Sequence, residues 1–179
     1  MTIGSVIFIV TAILSAHAKT APAVPPPPPA PGTADAYAAL PESVFCIEAE
    51  TGLVLQEDNP DLSRPPASMI KMMLMLMVAE GADTGKWTYD KLITITPNAE
   101  KMGGSQIYVK SGESNPLDLL MTAVAVASAN DAAMAVAEGL WGSKEEYLKA
   151  ANQRAQELGM KQSSFHSVHG LPPSPGDPF

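Results

Sequence analysis

The segment from Ser68 to Glu80 constrains the fold more than any other part of the sequence, because nearly every side chain in it is apolar. Lys71 is the one charged residue between Met69 and Ala79. A segment that is apolar on every face predicts a helix buried at the centre of a domain. It is shorter than the roughly 20 residues that a membrane-spanning helix needs. Its methionines predict adaptable core packing rather than a cofactor groove.

Composition divides the 179-residue chain into three segments. Residues 1–18 contain a short apolar run followed by Ala16-His17-Ala18, which predicts an export signal. Because no Lys or Arg precedes this motif, an uncleaved anchor or a misplaced start remain alternatives. Residues 19–34 contain a run of consecutive prolines, which predicts a semi-rigid polyproline II linker. Residues 35–179 predict one folded domain.

The net charge of −8 and the single cysteine exclude several classes of protein. The basic residues are scattered singly, so the sequence has no basic stripe that would bind nucleic acid. Cys46 has no partner for an internal disulfide and is predicted to be a small buried side chain in a strand. His166 and His169 have the spacing of metal ligands, but a credible third ligand is missing nearby. We expect no metal and no cofactor.

Patterning and turn signals predict a hairpin followed by several helices. Val44–Ile47 and Leu53–Leu55 flank a turn signal and predict two paired strands. Ser143 and Glu146 have the spacing of a capping box, which predicts the start of a helix. The other predicted elements are a strand at 92–96, an extended segment at 106–109, helices at 116–127, 130–140 and 143–158, and strand and loop from Ser163 onward.

Ser68 and Lys71 are the strongest candidates for chemistry. Their i, i+3 spacing places the hydroxyl and the amine on one helical face. A serine needs a base to become a good nucleophile, and an amine can act as that base when desolvation lowers its pKa. The alternative is that Ser68 caps the helix and that Lys71 extends to the surface.

Ser128-Ala129-Asn130 is the second candidate, because it lies between two predicted helices. Side chains at such a junction can serve as helix caps, which is the alternative here. A Ser-x-x-Lys motif followed about 60 residues later by Ser-x-Asn is the order found in penicillin-recognising serine acyl-transferases.

Four stretches of the chain jointly resemble the D-alanyl-D-alanine carboxypeptidases, which are low-molecular-mass penicillin-binding proteins. Residues 64–73 resemble the nucleophile segment of that family, often Arg-x-Pro-Ala-Ser-x-Thr-Lys-x-Met. Residues 50–55 resemble its first hairpin, 129–133 its Ser-Gly-Asn-Asp-Ala segment, and 165–172 its later stretch with His/Asn-Gly-Leu. The resemblance covers about residues 37–173.

The resemblance implies a β-lactamase/transpeptidase-like α+β fold, in which a helical cluster packs on an antiparallel sheet. It also implies hydrolysis of the terminal D-Ala of peptidoglycan pentapeptides, inhibition by β-lactams, and a periplasmic or cell-envelope location with membrane association. By position, Ser68 would be the acylated nucleophile and Lys71 its general base. Ser128 would relay a proton to the leaving group, and Asn130 would hold the substrate backbone.

Two features depart from the family pattern. Ile70 stands where a Thr commonly precedes the lysine, and we expect little effect because that side chain packs away from the site. The third motif, Lys-Thr-Gly on a late strand, is absent, since no lysine follows Lys161. The sequence therefore predicts a domain whose C-terminal strands are missing, an unpaired first hairpin that favours association, and an inactive fragment.

Three other functions are also compatible with parts of the sequence. A class A β-lactamase is less favoured, because residues 128–130 are not Ser-Asp-Asn and a recognisable deacylation glutamate is missing. A Ser-His-Asp hydrolase could use His166 or His169, but the sequence lacks a Gly-x-Ser-x-Gly context. A non-catalytic peptidoglycan-binding module is the main alternative, and covalent labelling of Ser68 by penicillin separates it from an enzyme.

Secretion is expected to cleave the chain after Ala18, because a short apolar run and Ala16-His17-Ala18 together form a signal-peptidase site. Mass spectrometry of the exported protein should find Lys19 at the N-terminus. An Ala18→Asp variant should retain the leader. An intact Met1 terminus on the exported wild-type protein would contradict this prediction.

Overall fold

The computed structural model describes residues 43–171. The predicted signal segment 1–18, the linker 19–34 and the predicted start of the domain at residue 35 lie outside the described residues. The strands are β1 (Val44–Ile47), β2 (Val54–Asp58), β3 (Leu92–Thr94) and β4 (Ser114–Pro116), and the helices are α1 (Lys71–Asp83), α2 (Pro97–Glu100), α3 (Leu117–Ala127), α4 (Asn130–Trp141) and α5 (Lys144–Glu157). A 3₁₀ turn at Ala67–Ile70 leads directly into α1. In residues 43–171, helices of the length and apolarity needed to cross a membrane are absent.

Helix α4 occupies the centre of the helical cluster. Every residue from Asn130 to Ala137 is buried, and α4 contacts α1, α2, α3, α5 and β3. Several of these residues are alanines, and such small side chains let neighbouring backbones approach closely. At Gly139 a methyl group would lie 2.5 Å from Ile93 Cγ2, so β3 packs directly on this helix.

Helix α1 is buried on one side only, although the sequence predicts it as the central buried helix. Met73, Leu74 and Val78 are buried, whereas Met72 is 61% exposed. An apolar side chain indicates that its residue can be buried, but it does not show which face of the helix a neighbouring element covers. The pattern therefore predicted the helix and could not predict that α4 would take the central position.

The described residues form two separate two-stranded antiparallel sheets, β1 with β2 and β3 with β4. The predicted first hairpin is confirmed, with Val44 opposite Asp58 and Phe45 opposite Glu57. All of β2 is exposed, and Phe45 is 59% exposed. Helices together with small antiparallel sheets confirm the α+β class that the resemblance implies.

Cys46 is exposed, so the prediction that it is a small buried side chain is wrong. It does lie in a strand, β1, at the position where the register shifts before Ile47. Within residues 43–171 the hairpin faces solvent on nearly all of its positions, so strand propensity at Cys46 carries no information about burial.

Residues 106–109 do not form the predicted extended segment. Tyr108 has a φ of 61°, in the left-handed region, which interrupts an extended backbone. The N–H groups of Ile107 and Val109 both donate to the carboxylate of Asp131, 24 and 22 residues away in the sequence. A strand from Ser163 onward is also not found in the described residues, which form a loop there.

Two helix starts illustrate how local signals act. The Ser143 capping box is confirmed at its N-cap, because Ser143 Oγ accepts a hydrogen bond from the Glu146 N–H at 3.1 Å. The sequence predicts that Pro116 begins the helix at 116–127, but Pro116 ends β4 with an extended backbone, and α3 begins at Leu117. A proline fits either position, because its fixed φ is compatible with both.

Trp87 packs against the C-terminal part of α1. Its indole Nε1 donates to the carbonyl of Val78 at 2.8 Å. Its ring lies so close to Gly81 that a methyl group there would be 2.1 Å from a ring carbon. Trp141 makes an edge-to-face contact with Trp87 and a second one with Tyr147, each with ring centroids 5.2 Å apart. This aromatic series links α1 to the end of α4 and to α5.

Gly81→Ala is expected to destabilise the fold by about 1–3 kcal/mol, because the new methyl group must displace the Trp87 ring. Helix propensity alone would favour alanine by about 1 kcal/mol. Urea unfolding followed by tryptophan fluorescence measures the difference. Gly103→Ala is the matched control, since a methyl group at Gly103 meets no atom within 4 Å. Net stabilisation by Gly81→Ala would show that the indole does not limit this position.

Candidate active site

The structure brings Ser68, Lys71 and Ser128 together. Ser68 lies in the 3₁₀ turn, Lys71 begins α1, and Ser128 joins α3 to α4. Lys71 Nζ donates to Ser68 Oγ at 3.2 Å and to Ser128 Oγ at 3.0 Å. It also donates to the Ser128 carbonyl oxygen at 2.8 Å. One amine therefore links two hydroxyl groups, one from a residue 3 positions away in the sequence and one from a residue 57 positions away.

The alternatives of a helix cap and a surface lysine do not describe this geometry. The N-cap of the 3₁₀ turn is Pro66, so Ser68 lies inside the turn rather than at its cap. Lys71 is 2% exposed and points inward to Ser128. The N-cap of α4 is Ala129, so the Ser128 hydroxyl does not cap this helix and instead accepts a hydrogen bond from Lys71.

The environment of Lys71 favours its neutral form. Burial lowers the pKa of the Lys71 amine, because desolvation penalises the ammonium ion more than the free amine. The three donated bonds described above use all three N–H groups of the protonated amine. The neutral amine has two N–H groups and a lone pair, so it can accept the proton of Ser68 Oγ across the 3.2 Å contact while it donates to Ser128. Ser68 itself is exposed, so its hydroxyl is accessible to a substrate. The pair thus has the arrangement of a nucleophile beside its base.

Strained backbone lies on both sides of this pair. Ala67, directly before Ser68, has a φ of 48°, and Ser128 has a φ of 53°. Residues with a Cβ adopt this left-handed region at an energetic cost, and such positions cluster at functional sites. At Ser128 the left-handed turn directs both the carbonyl and the hydroxyl at the amine of Lys71. Two of the three acceptors of Lys71 therefore belong to a left-handed residue.

Asn130 is buried at the first position of α4, two residues after Ser128. Its backbone N–H donates to the Ser105 carbonyl at 2.7 Å, and its side-chain Nδ2 donates to the Gly103 carbonyl at 2.7 Å. A methyl group on Gly104 would lie 2.7 Å from that Nδ2 atom, so the loop can reach Asn130 only with glycine at this position. The side-chain amide is thus oriented by the loop at 103–105.

A second segment, 167–171, packs on Ala67, the residue before Ser68, and the sequence alone assigns it no role in the site. A methyl group on Gly170 would lie 2.0 Å from the carbonyl oxygen of Ala67, the residue before Ser68. The Ser167 Oγ accepts the N–H groups of His169 and Gly170. In the sequence, the only indication of this contact is a glycine, Gly170, directly after His169. The tertiary structure shows that Gly170 approaches the backbone of Ala67.

His169 lies close enough to Lys71 for its pKa to depend on that amine. Burial is the largest cause that lowers the pKa of His169, and the protonated form of Lys71 and the charge of Lys144 lower it further. Its Nδ1 accepts the Leu171 N–H at 3.1 Å, which requires an unprotonated Nδ1. His166, by contrast, is exposed and contacts Ser164 Oγ. The amine in hydrogen-bond contact with Ser68 is that of Lys71, whereas the contacts of both histidines described here lie within residues 164–171.

The fold is that of the penicillin-binding proteins. The structure of penicillin-binding protein D2 from Listeria monocytogenes, in its ampicillin-bound form, superposes with a TM-score of 0.65 at 26% identity, over 75% of this chain and 54% of that one. The D-alanyl-D-alanine carboxypeptidase DacD from Francisella tularensis superposes with a TM-score of 0.71 at 35% identity, over 74% of this chain and 32% of that one.

The sequence agrees with the fold. The model of the D-alanyl-D-alanine carboxypeptidase family matches residues 31–175, and the chain belongs to that family. D-alanyl-D-alanine carboxypeptidase DacF from Bacillus subtilis (strain 168) is 41% identical over 130 residues, which are 73% of this chain and 33% of that protein. The chain thus spans about a third of the length of this curated relative.

Acidification is expected to destabilise the wild-type protein through His169. The folded-state pKa of His169 is lowered from 6.5, so its contribution is fully present above pH 6.5 and is lost as the pH falls from there toward the folded-state pKa. The groups that face it are Lys71 and Lys144. Between pH 7.5 and 5.5, the free energy of unfolding should fall more in wild type than in His169→Asn.

Urea unfolding at the two pH values measures this difference. His166→Asn is the matched control for the loss of an imidazole, because His166 lies exposed outside the packed segment. Equal pH dependence in wild type and His169→Asn would contradict the prediction.

Proposed function

We propose that this chain carries the nucleophile half of a serine-type D-Ala-D-Ala carboxypeptidase that acts on peptidoglycan pentapeptides. The observation that carries the proposal is the buried Lys71 amine in hydrogen-bond contact with both Ser68 Oγ and Ser128 Oγ. Membership of the carboxypeptidase family supports the substrate class. Metal and cofactor chemistry have no role in the reaction as proposed.

The reaction begins with proton transfer from Ser68 Oγ to the neutral Lys71 amine. The Ser68 oxygen then attacks the carbonyl carbon of the bond between the two D-Ala residues, and the C–N bond breaks. Ser128, hydrogen-bonded to Lys71, relays a proton to the departing amino group of the terminal D-Ala. Water hydrolyses the resulting ester and regenerates Ser68. Asn130 holds the backbone of the substrate during both steps.

β-lactams are proposed inhibitors of the same serine. Attack on the lactam carbonyl breaks the strained ring amide, and the ring nitrogen stays attached to the acyl group. The leaving group therefore remains in the site and obstructs the hydrolytic water. The ampicillin-bound state of the Listeria monocytogenes protein with this fold supports the assignment.

A class A β-lactamase is not favoured by the comparisons, since the matching family and Bacillus subtilis DacF are D-alanyl-D-alanine carboxypeptidases. We further propose that the protein is exported to the periplasm or cell envelope, with membrane association as part of that proposal. The apolar run before Ala18 supports the export.

Fluorescent penicillin tests the function in two polypeptides. One is the 179-residue chain, and the other is the same chain extended by the C-terminal part of Bacillus subtilis DacF. Because Lys-Thr-Gly is absent from the 179 residues, we expect little labelling of the short chain, and stoichiometric labelling of the extended chain. Ser68→Ala is the blank.

Lys71→Ala should slow acylation of the extended chain by ~10²–10⁴, the usual contribution of a general base.

Circular dichroism establishes that the extended chain is folded. A folded extended chain without Ser68-dependent labelling would refute the proposed acylation. Binding of a peptidoglycan peptide without any acylation would identify a non-catalytic module instead. Stoichiometric labelling of the short chain would show that the third motif is dispensable, and the expectation of an inactive fragment would be wrong.

A further inference from the structure

Asp131 is a buried carboxylate that the proposed mechanism does not use. It is 1% exposed and lies in the first turn of α4, directly after Asn130. A buried carboxylate is costly unless hydrogen-bond donors satisfy it. The donors here are backbone N–H groups from its own helix and from a distant segment, so the charge connects the two.

The distant donors come from the segment at 103–109. The Ile107 N–H lies 3.1 Å from one carboxylate oxygen of Asp131, and the Val109 N–H lies 3.2 Å from the same oxygen. The Ala132 N–H donates to the other oxygen at 2.8 Å. Tyr108, between the two distant donors, has a φ of 61°. The left-handed residue turns both neighbouring N–H groups toward one carboxylate.

The same segment contacts Asn130 a few residues earlier. Ser105 accepts the Asn130 backbone N–H, and Gly103 accepts its side-chain Nδ2. The segment 103–109 is therefore bound to the start of α4 at two points, at Asn130 through residues 103–105 and at Asp131 through Ile107 and Val109. The carboxylate thus holds one end of the loop while Asn130 is oriented by the other.

We propose that Asp131 is a positioning residue, which holds the segment 103–109 on the N-terminus of α4 and thereby orients the side-chain amide of Asn130 toward the substrate. This inference rests on the proposed function for its consequence in binding. The structural part, that the carboxylate holds the segment, stands on the hydrogen bonds alone.

Asp131→Asn is the direct test, because an amide replaces one acceptor oxygen by an NH₂ group that faces backbone donors. Glu138→Gln is the matched control, since the same chemical change occurs on the same helix, about 10 Å further along it. Glu138 also accepts hydrogen bonds from another segment, through Thr96 and Asn98 Nδ2.

Hydrogen-exchange mass spectrometry of the full 179-residue chain gives the first readout. In Asp131→Asn, peptides covering 103–110 should exchange at least about tenfold faster than in the parent, and peptides covering 92–100 should be unchanged. Glu138→Gln should show the reverse pattern. Unchanged exchange at 103–110 in Asp131→Asn, or equal acceleration in both variants, would overturn the proposal.

Penicillin kinetics in the extended chain give the second readout. Asp131→Asn should raise the dissociation constant of the complex before acylation about tenfold, as expected for a misplaced hydrogen bond. The acylation rate constant at saturation should change little, because Ser68 and Lys71 lie on other elements. Glu138→Gln should leave both constants unchanged. A loss confined to the acylation rate constant would overturn the positioning of Asn130.

Two further outcomes are distinguishable. If Asp131→Asn fails to fold, replacement of the Ile107 amide by an ester removes one donor and keeps the carboxylate. The ester should then accelerate exchange at 103–110, and unchanged exchange would overturn the proposal. If every variant and the parent remain unlabelled by penicillin, the proposed function fails, while the exchange pattern still decides whether Asp131 holds the segment.

Discussion

The amine of Lys71 lies at 2% exposure between the 3₁₀ turn and the junction of α3 with α4. Burial without partners would cost several kcal/mol, and the oxygens of Ser68 and Ser128 offset that cost. The same desolvation lowers the pKa of the amine, so one physical effect both requires oxygen partners nearby and makes the amine easier to deprotonate. This single buried group makes hydrogen bonds to both serines.

Backbone geometry places the acceptors that Lys71 needs. Left-handed residues at Ala67 and Ser128 turn the chain on either side of the amine. Gly170 packs on the carbonyl of Ala67, and Gly104 packs on Asn130, at distances that exclude a methyl group. Such strain survives in a folded protein where neighbouring contacts fix the conformation, and here the contacts are those of Gly170 with Ala67 and of Lys71 with Ser128.

The rigid support for this geometry is α4. Its alanine-rich face lets the other helices and β3 approach, while its first turn carries Asn130 and Asp131. The hairpin of β1 and β2 contributes little to this support, because its strands are largely exposed within residues 43–171. The described residues thus combine a well-packed helical cluster with an open apolar sheet surface, a combination that favours association.

The sequence by itself determined the longer helices α1, α3, α4 and α5, the first hairpin, and the order of Ser68, Lys71 and Ser128, because periodicity, turn residues and i, i+3 spacing act over short distances. It did not predict the short helix α2 or the strand β4. Only the tertiary structure decided the exposure of Cys46, the central place of α4, and the left-handed Tyr108 that interrupts 106–109. Each of these depends on which distant group lies opposite: a covering layer, a neighbouring helix, or the carboxylate of Asp131. Local sequence patterns do not identify such partners, since these residues are distant in the sequence and come into contact only when the chain folds.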